Sequence, residues 1–247
     1  MKQFLFITLA IIGLSFIACD KNNDTDGGET NATLHEAFTA FDADNVTAAV
    51  NGSNVTITTN GLPNHTSPYW SSAHPLYVAP TVATNLAPGN IDDFSGSYSL
   101  TVSAFPTRAS SASSTGLGAI GIAVSGAVIY NDEEGPNVPL DNAIGSLDYT
   151  AAHTGPQSYH YHLEPKAWSD DDDKLIGIIA DGFFLYGRKC NSTGTYPTDL
   201  DASGGHTSTT QYTDEADYHY HIANETYLNQ YYILFPGDYQ GTPSSIN

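Results

Sequence analysis

One internal repeat constrains this chain more than any other feature. The segment Gly121–Tyr130 aligns without a gap on Gly177–Tyr186. Each reads as a strand, a tight Ser-Gly or Asp-Gly turn and a second strand, the signature of a β-hairpin. A Leu-Asp pair follows each copy, and five residues past the aspartate stands a histidine: Asp148 and His153, then Asp201 and His206. Each copy closes on Tyr-His-Tyr-His, at Tyr159–His162 and Tyr218–His221. Three landmarks recur in one order at offsets of 56, 53 and 59 residues. The reading is a duplicated strand-hairpin unit, with halves of about 119–163 and 175–222.

Elsewhere, short runs rich in Val, Ile, Tyr and Thr are cut by turn signals. Val55–Thr59, Tyr98–Val102, Ala127–Tyr130, Phe183–Tyr186 and Tyr231–Phe235 read as strands. Ala109–Thr115 reads as a loop, and Thr33–Phe41 as a weak helix. The expectation is an all-β fold in a single domain, residues 34–247, whose duplicated unit carries the two Tyr-His-Tyr-His strands.

The chain begins with Lys2 and a largely apolar run from Phe4 to Ile17, too short for a comfortable membrane span. Residues 1–18 read as a signal peptide. Cys19 follows Phe16-Ile17-Ala18 as in a bacterial lipobox, so Cys19 is the expected lipidation site; simple cleavage nearby is the alternative. Residues 19–33 are an acidic, Asn-rich flexible tether of the kind that leads to an outer membrane. The expected location is the bacterial cell envelope, with membrane contact through the lipid alone. With Cys19 so used, Cys190 has no disulfide partner and reads as a spare thiol. The net charge of −20 opposes nucleic-acid phosphates and favours cations as small partners.

The chemistry lies in the histidines, six of nine of which fall in the two matching halves. In a strand, alternate side chains share a face, so His160 and His162 point one way and Tyr159 and Tyr161 the other. Two such imidazoles, about 7 Å apart at Cα, can converge on one ion. His153 and His206 from the preceding segments complete the candidate metal ligands His153, His160, His162, His206, His219 and His221, in one shared cleft or two equivalent pockets. Three nitrogens with an open position suit Zn or Cu, and Fe or Ni less well without a clear carboxylate ligand. Asp148 and Asp201 are further candidates, as direct ligands or as partners fixing imidazole tautomers. His65 is a seventh candidate or a turn residue. His35 and His74 read as ordinary surface residues, and Asp170–Asp173, without the spacing of a calcium loop, as a solvated turn. No Gly-x-Ser-x-Gly elbow, His-Glu-x-x-His helix or phosphate loop is present.

The paired Tyr-His-Tyr-His motifs, the two Gly-to-Tyr hairpins, Gly61-Leu62-Pro63-Asn64-His65 and Leu175-Ile176-Gly177 together resemble the bacterial YHYH-domain family over about residues 46–240. The resemblance implies no particular reaction. In that family Leu-Asp-x-Cys-x-Gly-His is usual before each tetrapeptide. Here Thr150 and Ser203 stand at the two cysteine positions, as if a pair that bridges the halves had been lost together. The functional expectation is an envelope-anchored protein binding a transition metal, with room for a metal-dependent hydrolase or oxidase. The alternative is a glycan-binding or adhesive module, read from Trp70, Tyr69, Trp168 and the tyrosines, with purely structural histidines.

Overall fold

The computed structural model describes residues 32–81, 85–94, 96–155 and 158–247. The leader, Cys19 and most of the tether lie outside the described residues. The fold is mostly β, and its helical turns among the described residues are three short 3-10 segments. One of them, Glu36–Ala40, takes the place of the expected helix; the His35 ring accepts from the Ala37 N–H at its start.

A three-stranded antiparallel meander is built from β1 (Val46–Asn51), β2 (Asn54–Thr59) and β3 (Tyr98–Ser103). Alternation in β2 buries Val55, Ile57 and Thr59 and turns the intervening residues outward. The hairpin read at Gly121–Tyr130 is β4 (Ala119–Ala123) with β5 (Val128–Tyr130). After it come the short pair β6 (Glu133–Gly135) and β7 (Val138–Pro139), then β8 (Ala152–Gly155) and β9 (Ser158–Tyr161). The second hairpin is β10 (Leu175–Ile179) with β11 (Phe184–Tyr186), followed by β12 (Gly205–Thr210) and β13 (Thr213–His221).

Eight of these strands form one mixed sheet in the order β12-β13-β11-β10-β4-β5-β9-β8. At its centre β4 and β10 run antiparallel, with Ile122 opposite Ile178. Outward on one side, β5 pairs in parallel with β9, Ile129 opposite Tyr161, and His153 faces His160 across β8 and β9. On the other side β11 pairs in parallel with β13, Leu185 opposite Tyr220, and His206 faces His219 across β12 and β13. Parallel neighbours need crossover connections. Residues 131–157 and 187–212 supply them, and they carry the remaining site residues to the histidine face.

One apolar core joins Val55, Ile57, Leu100 and Val102 of the small sheet to Ile120, Ile122, Ile178 and Leu185 of the large one. Tyr159, Tyr161 and Tyr220 belong to that core. The expected strand Tyr231–Phe235 is not one. It runs beside the end of β9, with the Leu234 N–H donating to the His162 carbonyl and Glu164 N–H to that of Tyr232, but forms only isolated bridges.

The repeated glycines have a packing reason. A Cβ at Gly177 would lie 2.3 Å from the Ile122 carbonyl oxygen, and one at Gly121 would lie 2.8 Å from that of Ile178. Backbone cannot swing aside as a side chain can. Gly177→Ala is therefore expected to destabilise the protein by about 1–3 kcal/mol through overpacking, read as a lower urea midpoint; an unchanged midpoint contradicts the close central pairing.

Candidate metal centres

Each tetrapeptide divides its side chains between two faces, and the tyrosine face is the anchor. The Tyr159 hydroxyl donates to Asp148 Oδ2 at 2.7 Å, and Tyr218 to Asp201 Oδ2 at 2.9 Å. Tyr220 donates to Asp181 Oδ2 at 2.6 Å, while the Tyr161 hydroxyl lies 2.9 Å from Ser125 Oγ and 2.5 Å from His65 Nε2. Asp181 and Ser125 are the turn residues of the two hairpins, so each second tyrosine ties its strand to its own hairpin. These contacts show where the further candidates lie. Asp148 and Asp201 serve tyrosines and local backbone N–H groups rather than any imidazole. His65 sits on the tyrosine face, away from the other candidate ligands. Tyr159, Tyr161, Tyr220, Tyr69 and Trp70 are buried, Tyr218 is half-buried, and Trp70 stacks on His74 at 3.9 Å.

On the opposite face the six expected histidines gather into two separate sets. His153, His160 and His162 form one; His206, His219 and His221 form the other, joined by Cys190. Within each set every residue brings a ligand atom to within 4.8 Å of the rest. All seven side chains are buried. Cys190 is therefore not a spare thiol: the crossover after β11 delivers its sulfur to the second set.

The outer ring nitrogens fix which way the imidazoles present their lone pairs. In the second set, Nδ1 of His206, His219 and His221 lies 2.9, 2.9 and 2.7 Å from Asp199 Oδ1, the Asp217 carbonyl and the Gly187 carbonyl. Carbonyl and carboxylate oxygens can only accept, so each Nδ1 carries the proton and each Nε2 of the neutral ring is bare. In the first set, His162 Nδ1 donates to the Asn131 carbonyl at 2.6 Å. Ser146 Oγ gives its one proton to the Ala143 carbonyl and so accepts from His153 Nδ1 at 2.8 Å.

The Nε2 atoms then face one another. His219 Nε2 stands 3.1 Å from His221 Nε2, and His153 Nε2 stands 3.0 Å from His160 Nε2. His162 Nε2 is buried with no hydrogen-bond partner, its nearest charged neighbour being Glu134 Oε1 at 3.3 Å. Glu134 Oε1 is also 3.4 Å from His153 Nε2. Two nitrogens bound at ~2.0–2.1 Å to one tetrahedral ion lie roughly 3.3 Å apart. These two spacings are close to that edge, and every donor of a set lies within 4.8 Å of the others, so each set could hold a metal ion.

Cys190 and Glu134 are the residues that the sequence reading missed. A signal existed, because they stand 56 residues apart, as the two hairpins do. In the Asp170–Asp173 turn, Arg188 and Lys189 meet Asp171, and Lys174 meets Asp172. Arg188, itself buried against the Glu164 carboxylate and the Tyr232 ring, fixes the chain just before Cys190.

Residues 97–198 match the model of the YHYH protein family, which bears out the resemblance carried by the tetrapeptide. The match runs from β3 through the first histidine set to just past Cys190. The second tetrapeptide lies beyond it. No curated protein and no solved structure matches the chain.

Burial holds His153, His160, His162, His219 and His221 neutral. It lowers His153, His162 and His219 to about 4 and His221 to about 3, with neighbouring imidazoles adding to the effect at His153 and His221. In the unfolded chain the same rings titrate near the ordinary value, about 6.5. Between roughly pH 6.5 and 4 the unfolded chain thus binds protons that the native protein refuses, and stability falls as pH falls. The stability is fully present above the unfolded value and drains away towards the folded ones. Metal-free protein is expected to show a urea midpoint that drops steadily from pH 7 to pH 4.5. A flat profile over that interval contradicts neutral, buried site histidines.

Proposed function

We propose that this YHYH-family protein binds transition-metal ions, Zn or Cu, at two centres on the histidine face of its large sheet. One is held by His153, His160 and His162, the other by His206, His219 and His221 with Cys190. Residues 34–247 act as one β domain made by duplication of a strand-hairpin unit. Its halves are related by a local two-fold axis through the Ile122–Ile178 pair, about which the strand order and pairing registers repeat. The domain is exported behind residues 1–18 and carried at the cell envelope by lipid on Cys19, with residues 19–33 as the spacer.

The observation that carries this reading is the proton inventory of the second set. Three imidazoles give their only N–H outward and turn bare Nε2 atoms towards one another and towards a thiol. Without a cation, burying converging lone pairs is a cost with no return. With one, the same geometry is a ligand shell whose outer hydrogen bonds hold each ring in place. The metal, when bound, supplies Lewis acidity that a hydrolase or oxidase activity would need. A purely structural role for the histidines leaves the His162 Nε2 without a partner.

The test is metal content and thermal melting of protein made without a histidine tag. Wild type is expected to hold two equivalents. His160→Ala and His219→Ala should each lose one, from different halves. Metal should raise the melting temperature, and chelator should reverse the rise, because binding to the folded state adds stability. Absence of stoichiometric metal together with melting that ignores chelator contradicts the proposal.

A further inference from the structure

The two centres differ where their surroundings differ, and the differences all run one way. At the position where the second set has Cys190, the first has Glu134. The sulfur of Cys190 groups with all three of its histidine nitrogens. Glu134 Oε1 approaches only the Nε2 atoms of His153 and His162, and its side chain is partly open to solvent. Ser208, on β12 beside the second set, places its Oγ 3.2 Å from Cys190 Sγ and 3.3 Å from His206 Nε2, plugging the space between them. The corresponding residue on β8 is Gly155, where a Cβ would lie only 2.7 Å from the His160 ring.

Access differs in the same sense. A cavity of about 610 Å³ is lined by all three histidines of the first set, together with Tyr130, Glu134 and Ser146. Of the second set, His219 borders a cavity of about 570 Å³. His206, His221 and Cys190 do not line it. Metal sites with four protein donors are closed and support the fold, whereas sites with three donors and a free position take water or substrate. A thiolate among imidazoles also binds Zn²⁺ and Co²⁺ more firmly than a carboxylate at the edge of a cavity.

The geometry points to a division of roles, resting on the metal-binding reading above. Cys190, His206, His219 and His221 close a four-donor site that braces the fold, while the ion on His153, His160 and His162 keeps a coordination position open to the cavity for a small oxygen- or nitrogen-donor ligand. Glu134 stands beside that position, where its carboxylate accepts a hydrogen bond from a bound water that azide displaces. On metal binding the Cys190 S–H bond breaks, its electron pair goes to the metal and its proton goes to solvent.

Co²⁺ added to the metal-free full chain, followed by azide, separates the two roles. In H160A, which keeps only the second centre, a sulfur-to-cobalt absorption in the near ultraviolet is expected, and azide should leave the visible cobalt bands unmoved. In H219A/H221A, which keeps only the first, the sulfur absorption should be absent and azide should shift the visible bands. C190S should lose the sulfur absorption that wild type shows. If H219A/H221A does not fold, azide titration of wild type against H160A reads the same contrast: a shift in the first and none in the second. Absence of the sulfur absorption from H160A, an azide shift in H160A, or azide indifference of the first centre overturns the division. Wild type that takes up neither Co²⁺ nor Zn²⁺ overturns the metal-binding reading itself.

Discussion

The structure depends on the hydrogen bonds made by four tyrosine hydroxyls. Tyr159, Tyr161, Tyr218 and Tyr220 point into the core, and their hydroxyls end on Asp148, Ser125 with His65, Asp201 and Asp181. A buried hydroxyl without a partner costs about 1–3 kcal/mol, so each of these bonds selects one register for its strand. Strand geometry does the rest. Once the tyrosines are fixed on one face, the alternating histidines have no choice but to face the other, two residues apart and already aimed. The parallel pairing of β9 with β5 and of β13 with β11 brings Tyr161 and Tyr220 to their own hairpin turns.

This arrangement explains why the histidines sit at the sheet's outer strands rather than at its centre. The β4–β10 pair is held by backbone contact through Gly121 and Gly177 and leaves no space for imidazoles. The crossovers must travel over the histidine face to return in parallel. That path brings Glu134 and Ser146 to one set, and Cys190 and Asp199 to the other. Second partners of the imidazoles therefore come from the loops, whose sequences are free to differ, while the strands stay alike. The two sets thus differ in their surroundings without a change in the scaffold.

Much of this was legible from residue pattern alone. Alternation in Tyr-His-Tyr-His gave the two faces, the Ser-Gly and Asp-Gly turns gave the hairpins, and the spacing to His153 and His206 gave the third member of each set. What escaped depended on contacts distant in sequence. Asp148 and Asp201 precede histidines by five residues, yet their carboxylates are taken by tyrosine hydroxyls across the strand. The Cys190–Glu134 correspondence is hidden because the residue types are unlike, although both are metal-binding types. Tyr231–Phe235 has the composition of a strand, but Leu228 and Asn229 adopt positive φ just before it and Pro236 follows. It meets the end of β9 through isolated bridges instead of a ladder.

The proposed ions sit where the Nε2 atoms of each set converge. Crystals grown with Zn²⁺ and measured on either side of the zinc absorption edge test it directly. The account predicts two anomalous peaks per chain. One lies about 2.0–2.1 Å from the Nε2 atoms of His153, His160 and His162; the other lies at the same distance from those of His206, His219 and His221 and about 2.3 Å from Cys190 Sγ. Zinc found elsewhere on the acidic surface, with neither histidine set occupied, contradicts it.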